Sequence, residues 1–263
     1  MAGRKSLSRI PQKELKIFLD EMYLKFNTID FIDNDPVRIP HQYKKTQDIE
    51  IAGLFASTLA WGNRKAIIKN TEELLRRMDY SPHAFVMEAG KTELNSLKGF
   101  VHRTFNSSDA NDFILALRKL YSTADSLEKY FIAEGNALDK IAQFRTHFVK
   151  GFKSSHALKH VSDPLKGSAA KRLCMYLRWM VRKDASKVDF GLWKQISPAD
   201  LILPLDVHTG NVSRKLGLLQ RSQDDAKAAI EITEKLKLFD QKDPVKYDYA
   251  LFGIGVTKML ADH

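Results

Sequence analysis

The amino-acid sequence predicts an all-α protein. Apolar residues recur at three- and four-residue spacings through most of the 263-residue chain, and no stretch alternates apolar and polar residues for long enough to indicate a sheet. Hydrophobic residues make up 44% and charged residues 28% of the chain, which is ordinary for a globular protein. A chain of this length can bury a substantial core and can form one large domain or two small ones.

The first half of the chain divides into helical segments at proline, glycine and polar clusters. Leu15, Leu19 and Phe26 lie on one face of the first helix. Trp61-Gly62-Asn63 separates two later helices, and the polar cluster Asn106-Ser107-Ser108-Asp109 indicates a loop. In chain order, we predict helices over residues 11–26, 48–59 and 64–78, an element that opens at Ser81-Pro82, and a helix over residues 110–132.

The second half contains the strongest helical pattern, in which Lys171, Arg178 and Arg182 share one face and apolar residues form another. The predicted elements are helices over residues 137–152 and 169–182, a short helix over 198–203, a helix after Asp206 that Gly217 ends, a helix over 225–238, and a final helix that opens at Asp243-Pro244.

The charge balance favours a polyanionic partner, and nucleic acid is the first to consider. Lys and Arg total 42 against 32 Asp and Glu, which gives a formal net charge of +10. The basic residues are spread along the chain, so we expect a folded groove rather than a disordered basic arm.

Other classes of protein are disfavoured. The single cysteine, Cys174, cannot form an internal disulfide, a cysteine-based zinc site or an iron–sulfur cluster. No apolar run approaches the roughly 20 residues of a membrane span, and the N-terminal residues lack the apolar stretch of a signal peptide. We therefore expect a cytoplasmic protein with no membrane partner and no cofactor.

The segment Leu203-Pro204-Leu205-Asp206-Val207-His208 is the most informative in the chain, because it presents an acidic residue at a predicted helix start. Aspartate in that position is most often a helix cap, worth about 1 kcal/mol. An ionised aspartate can also serve as the partner of a cation across a cleft. The two roles are compatible, since a capping carboxylate is charged and held rigidly.

Lys171 is the candidate nucleophile, because it lies just after a predicted helix start. A lysine must lose its proton to act as a nucleophile. The positive end of the helix dipole and the neighbouring Arg172 both disfavour a second positive charge there. The simpler interpretation is a solvated surface lysine.

Four further residues are candidates for contact with a substrate. Asp248 and Phe252 are one turn apart on the final helix, where a carboxylate and an aromatic ring can read the edge of a base and stack on its face. Trp61 lies at a helix break and can provide a stacking surface, and His208 can contact a phosphate. Three of them also have a structural interpretation, Phe252 and Trp61 as packed aromatic residues and His208 as a packed or partly exposed histidine.

The loop Pro164-Leu165-Lys166-Gly167-Ser168 precedes a predicted helix, whose first backbone N–H groups can bind a phosphate. Lys166, Gly167, Ser168 and Arg172 are therefore candidates for contact with a nucleic-acid backbone. Gly-Ser before a helix is also an ordinary helix start. No glycine-rich nucleotide-binding motif is present.

His156 and His160 are spaced i, i+4, which is a spacing that metal-binding helices use. The sequence shows no acidic or thiol partner for them, so we predict no metal site.

These residues together resemble those of the helix-hairpin-helix DNA glycosylases, the superfamily of endonuclease III, adenine-mismatch glycosylases and 8-oxoguanine glycosylases. Lys166-Gly167-Ser168-Ala169-Ala170-Lys171 resembles the end of the hairpin with the catalytic lysine, and Pro204-Leu205-Asp206-Val207-His208 resembles the segment with the catalytic aspartate. Tyr249-Ala250-Leu251-Phe252-Gly253 resembles the late helix of the base pocket, and residues 51–59 resemble the first barrel helix. The blocks follow the order of the superfamily over residues 48–258.

The chain departs from the superfamily at the hairpin, which lacks the usual Leu-Pro-Gly-x-Gly. Lys171 also precedes Asp206 by 35 residues, which is more than in most members and is similar to archaeal 8-oxoguanine glycosylases. Lys187, 19 residues before Asp206, is therefore a rival nucleophile, but no hairpin glycine precedes it and we favour Lys171. The chain also resembles a bacterial branch of this superfamily.

The resemblance implies two helical lobes with a cleft between them for a flipped base. A helical barrel with the irregular hairpin would span residues 49–198, and residues 1–48 would join 199–263 in the second lobe. It implies a monomeric glycosylase of double-stranded DNA without an iron–sulfur cluster, with an oxidised purine as the first candidate substrate and abasic-site lyase activity through Lys171. The alternatives are a nucleic-acid-binding protein that kept the fold and lost the chemistry, and a protein whose ligand is RNA.

Overall fold

Helices account for most of the chain, so the all-α class is confirmed. The computed structural model describes residues 10–260. The α-helices are α1 (Gln12–Phe26), α2 (Asp30–Asp33), α3 (Thr46–Leu59), α4 (Arg64–Arg76), α5 (Pro82–Glu88), α6 (Lys91–Leu94), α7 (Ser107–Tyr121), α8 (Ala137–Phe148), α9 (Lys171–Val181), α10 (Val207–Lys215), α11 (Ala226–Lys237) and α12 (Tyr247–Val256). Short 3-10 helices cover Pro36–Arg38, Pro40–Gln42, Asn95–Leu97, Leu127–Phe131, Val149–Gly151, Ser155–His160, Pro164–Lys166, Pro198–Asp200 and Pro244–Lys246.

The start of α7 differs from the prediction, because a polar cluster that indicated a loop is the beginning of the helix. The Asn106 side chain accepts hydrogen bonds from the N–H groups of Ser108 and Asp109, and the Asp109 carboxylate accepts one from the N–H of Asn106. This reciprocal capping box starts the helix at Ser107.

Other predicted helices are shorter than expected. The helix predicted over residues 110–132 ends at Tyr121 and is followed by a 3-10 turn at Leu127–Phe131. The helix predicted over 198–203 is only the 3-10 turn Pro198–Asp200, and residues 201–205 run on as a buried segment without regular structure. Apolar periodicity continued through these turns, but the backbone hydrogen-bond pattern did not.

A two-stranded hairpin precedes α7, and the sequence pattern did not predict it. Strand β1 (Val101–His102) pairs antiparallel with β2 (Phe105–Asn106), with Val101 opposite Asn106. Arg103 adopts a left-handed conformation (φ 57°) in the turn. Strands of two residues are too short to show alternation.

Helix α3 is the central helix of the fold. Every residue from Ile49 to Leu59 is buried, as expected for a helix that is surrounded by others. It packs against α4, α5 and α9. The segments that carry the candidate residues therefore start from a rigid core.

The last helix, α12, packs against both α1 and α10. Gly253 lies where α1 approaches, because a Cβ atom at this position would come within 2.3 Å of the Phe26 ring. The N-terminal and C-terminal helices thus form one packing unit. The lobe boundaries at residues 49 and 198 stay a prediction.

No helix within residues 10–260 is both long enough and apolar enough to cross a membrane. The prediction about a signal peptide falls on residues 1–9, which lie outside the described residues.

Glu50 places a carboxylate in the core, on the second turn of α3. Its two oxygens accept hydrogen bonds from the Tyr121 and Ser126 hydroxyls, the Leu127 N–H and the Trp193 indole N–H. Burial raises the pKa of Glu50, and the four hydrogen bonds oppose this shift without cancelling it. One buried side chain therefore joins three separate segments of the chain.

Replacing Glu50 with glutamine is expected to destabilise the protein by about 1–3 kcal/mol. The glutamine NH2 group would face two donors, which leaves buried groups without acceptors. Urea unfolding followed by circular dichroism measures the loss. A Glu50→Gln variant as stable as the wild type would contradict the role of this network.

Candidate active site

A cleft of about 380 Å³ brings together six residues that the sequence had indicated separately. Its walls come from the segment after α2, the junction of α3 and α4, helix α9, the start of α10, and α12. The six predicted residues that line it are Trp61, Lys171, Asp206, His208, Asp248 and Phe252.

Lys171 and Asp206 form an ion pair in this cleft. Lys171 Nζ donates to Asp206 Oδ2 at 2.8 Å, and their side chains are 36% and 15% exposed. Lys171 is the first residue of α9, and it follows Ala170, whose left-handed backbone (φ 45°) turns the chain sharply into the helix. The sharp turn and the first helical position together aim the lysine at the cleft.

Asp206 is also the N-cap of α10, which confirms the structural role expected for it. Its Oδ1 accepts a hydrogen bond from the Thr209 N–H at 2.9 Å, while Oδ2 binds Lys171. The cap fixes the carboxylate rigidly. One aspartate therefore performs both of the roles that the sequence left open.

Opposing effects set the charge state of Asp206. Burial acts to raise its pKa, but the Lys171 ammonium, its hydrogen bond and the Thr209 N–H together hold the pKa below the ordinary value of 3.8. Asp206 is therefore ionised at neutral pH.

The Asp206→Asn substitution is expected to destabilise the protein by about 1 kcal/mol at neutral pH, because it breaks a partly exposed ion pair and keeps the cap. A carboxylate with a lowered pKa stabilises the fold above its unfolded-state pKa, and that contribution is lost as pH falls through the folded-state pKa. The difference between wild type and variant should therefore be constant from neutral pH to about pH 5 and shrink below about pH 4. Urea unfolding at several pH values tests this, and a difference independent of pH would refute it.

Asp248 differs from its prediction, because its carboxylate is not simply presented to a substrate. Oδ2 accepts a hydrogen bond from Arg178 Nη1, and the side chain is only 8% exposed. Burial raises the pKa of Asp248 to about 6 although Arg178 acts to lower it. Contact with a base would therefore have to use the other carboxylate oxygen.

Arg178 and Arg182, which the helical spacing places on one face with Lys171, are both buried. Arg182 Nη1 lies 2.9 Å from Asp189 Oδ2, and Arg178 Nε lies 3.4 Å from Asp189 Oδ1. The guanidinium of Arg178 also lies 4.2 Å from the centre of the Tyr249 ring. Both guanidinium groups are therefore engaged inside the fold, and Arg178 also lines the cleft.

Replacing Arg178 with methionine is expected to destabilise the protein by about 3–5 kcal/mol, because Asp248 would stay buried without its partner. The double variant Arg178→Met/Asp248→Leu should recover part of this loss, since it removes the stranded carboxylate. Urea unfolding of both variants gives the comparison. A loss below about 1 kcal/mol in the single variant would contradict a buried pair.

Phe252 is half-buried on α12 and forms part of an aromatic and cationic wall. The Arg64 guanidinium lies 5.2 Å from its ring centre, and Phe31 meets it edge-on at 6.3 Å. The sequence did not single out Arg64 or Phe31 for the cleft. The arrangement is unlike a core phenylalanine because a charged group covers the ring.

Trp61 and His208 both line the cleft, but their surroundings differ. The guanidinium groups of Arg103 and Arg172 lie 5.2 and 5.5 Å from the centre of the Trp61 ring. His208, in the first turn of α10, is exposed. Trp61 thus packs against cations already, whereas His208 remains open to a ligand.

Asp35 is a cleft residue that the sequence analysis assigned only to a helix break. It is buried, its Oδ1 accepts a hydrogen bond from the Val37 N–H at 3.1 Å, and burial raises its pKa. Asp35-Pro36 in the sequence gave no sign of a role beyond a turn.

Three of the four residues predicted to contact a nucleic-acid backbone line one surface depression, and Lys166 does not. Gly167 (φ 83°) and Ser168 line a second depression of about 430 Å³ that also reaches Lys171. Lys166 is exposed beside it but does not line it. Arg172 lines this depression, yet its guanidinium donates to the carbonyl oxygens of Thr58 and His160. These bonds give Arg172 a structural role, and its contact with a nucleic-acid backbone stays a prediction.

Lys187, the rival nucleophile, is exposed in a turn with φ 56° and does not line the cleft. Its distance along the chain from Asp206 fitted the common spacing of the superfamily, but its position in the fold does not fit a role beside Asp206.

Comparison with known proteins gives a family and no nearer relative. Residues 35–257 match a family model described as a protein of unknown function (DUF2400). Neither the curated proteins nor the solved structures yielded a match. The matched region includes all six predicted residues of the cleft.

Proposed function

This chain belongs to the DUF2400 family, and we propose that it is a DNA base-excision glycosylase with abasic-site lyase activity. An oxidised purine is the first candidate base. We also propose that the protein is a monomer and acts inside the cell on double-stranded DNA. The cleft would then lie between two helical lobes.

The observation that carries the proposal is the pairing of Lys171 Nζ with Asp206 Oδ2 at 2.8 Å in the wall of a cleft. The volume of about 380 Å³ falls within the range of roughly 300–1,000 Å³ that is typical of small-molecule sites. A flipped nucleotide brings its C1′ atom and its base into such a cleft together.

Lys171 would act as the nucleophile after it loses a proton. Its Nζ forms a bond to C1′, the bond from C1′ to the base breaks, and the base leaves with that electron pair and takes up a proton. The bonded nitrogen then loses a proton, which restores its electron pair. The bond from C1′ to O4′ breaks, O4′ takes up a proton, and the nitrogen electron pair forms the C=N bond of a protonated Schiff base. Such covalent catalysis divides one difficult step into easier ones.

Asp206 would stabilise the positive charge that develops on the sugar and on the Schiff base. Its lowered pKa makes it a weak base and keeps it negatively charged, so electrostatic stabilisation is the role that suits it best. The cap on Thr209 holds the charge in place before the reaction begins.

The remaining groups of the cleft suit a base and its phosphate. Phe252 with Arg64 offers a stacking wall, and Asp248 retains one carboxylate oxygen to accept from a base N–H. Beside the cleft, the N-cap of α9 is Ala170, which offers no side-chain cap, so the first N–H groups of the helix are available to a phosphate.

Borohydride trapping tests the proposal directly. The protein is mixed with duplexes that contain 8-oxoguanine, an abasic site or neither, and reduction converts any Schiff base into a stable adduct. A covalent adduct on the abasic or lesion duplex supports the lyase. Failure of both base release and trapping on every lesion, with salt-sensitive DNA binding retained, favours the binding protein without chemistry. Tighter binding to RNA than to DNA duplexes in competition favours the RNA alternative.

A further inference from the structure

Asp109, in the first turn of α7, lies next to His156 and His160, which belong to the turn Ser155–His160 that precedes α9 in the chain. His156 Nδ1 lies 2.7 Å from Asp109 Oδ1, and His160 Nε2 lies 3.3 Å from Asp109 Oδ2. One ligand atom from each of the three residues falls within 4.8 Å of the others. The fold thus supplies the acidic partner that the sequence around the two histidines lacked.

His160 gives the cluster a feature that a simple hydrogen-bonded group would not have. Its side chain is 1% exposed, and within the described part of the chain its Nε2 atom is buried without a hydrogen-bond partner. A buried polar atom without a partner is costly and calls for an explanation. The rings of Phe105 and Trp61 pack around it at 5.0 and 6.2 Å, so the imidazole is fixed with Nε2 toward Asp109.

We propose that Asp109, His156 and His160 bind a zinc ion. A set of two imidazole nitrogens and one carboxylate oxygen favours zinc, because calcium and magnesium prefer ligand sets made of oxygen atoms. Bonds of about 2.1 Å in a tetrahedral site place the ligand atoms roughly 3.4 Å apart. The two imidazole nitrogens face different oxygens of Asp109, at 2.7 and 3.3 Å, and all three ligand atoms lie within 4.8 Å of one another, so rotation of the exposed His156 ring and of the carboxylate would bring them around one ion.

The cluster reaches solvent through His156, while the Asp109 and His160 side chains are buried. His156 is 44% exposed, so the cluster opens to solvent on one side and water completes the four-coordinate site. Lys159 Nζ lies 2.6 Å from His156 Nε2, but its side chain is on the surface and can turn away from the ion. Asp109 Oδ2 keeps its capping bond to the Asn106 N–H.

The ion would join the start of α7 to the turn Ser155–His160. Asp109 and His156 are 47 residues apart in the sequence. The carbonyl of His160 accepts from Arg172, the residue next to Lys171. Zinc would thereby stabilise the segment that leads to the cleft, and this role does not depend on the proposed glycosylase activity.

Isothermal titration of chelator-treated full-length protein with zinc sulfate tests the site. The wild type should bind one zinc ion per chain. His156→Ala removes an exposed ligand with little risk to folding, and it should weaken binding by more than the roughly 10- to 100-fold that loss of an outer-shell partner costs. His147→Ala, a histidine variant outside the cluster, should bind as the wild type does.

Thermal unfolding provides a second measurement. Zinc should raise the melting temperature of the wild type and of His147→Ala, because an ion that binds only the folded state stabilises it, and it should not do so for His156→Ala. Absence of stoichiometric zinc binding by the wild type, or equal binding by His156→Ala, would overturn the proposal.

Discussion

Replacing Lys171 with alanine is expected to abolish borohydride trapping and to lower the rate of strand cleavage at abasic sites by at least about 10³-fold. Removal of a catalytic nucleophile commonly costs this much or more. Lys171 is partly exposed, so the folded state should survive the change with a melting temperature near that of the wild type. Gel separation of trapped adducts and single-turnover kinetics measure the two effects.

Lys187→Ala is the matched control for this experiment, because Lys187 is exposed and lies away from the cleft. It should keep trapping and cleavage near wild-type levels. Loss of trapping in Lys187→Ala with retention in Lys171→Ala would reverse the assignment of the nucleophile. Retention in both would mean that a different amine forms the Schiff base and that neither lysine is the nucleophile.

The Asp206→Asn variant is expected to lose about 10²–10⁴-fold in the rate of base release, with DNA affinity largely retained. Asparagine caps a helix as well as aspartate does, so the Thr209 hydrogen bond and the position of the side chain should survive. Only the negative charge beside Lys171 and the sugar disappears. Single-turnover base release with binding measured separately distinguishes lost chemistry from lost affinity.

Asp240→Asn offers a closely matched control outside the cleft. Asp240 Oδ1 accepts from the Asp243 N–H at 3.0 Å, and Oδ2 binds Lys246 at 2.7 Å, which repeats the arrangement of Asp206. This variant should lose similar stability and keep base release. Equal losses of activity in both variants would mean that general destabilisation, not the charge in the cleft, explains the effect.

The positions of the main helices could be predicted from the sequence, because apolar periodicity reports which face is buried. Their ends could not always be predicted. The start of α7 depends on a reciprocal bond between Asn106 and Asp109, and the same polar residues are equally suited to a loop. Local composition does not distinguish these two outcomes.

The candidate site depended on contacts between distant residues, which periodicity does not encode. Lys171 and Asp206 are separated by 35 residues, and their pairing was expected from a resemblance rather than from spacing. The bond between Arg178 and Asp248 spans 70 residues and engages one carboxylate oxygen of a residue predicted to contact a base. Likewise, no pattern near His156 pointed to Asp109.

The packing of α1 against α12 has a consequence for the protein during its synthesis. At about 5–20 residues per second, roughly ten to fifty seconds separate the emergence of the first helix from that of the last. During that interval the apolar face of α1 with Leu15 and Leu19, which is buried in the finished fold, has no final partner. The nascent chain therefore exposes the apolar face of α1 until α12 has been synthesised, and chaperones can cover this face during the interval.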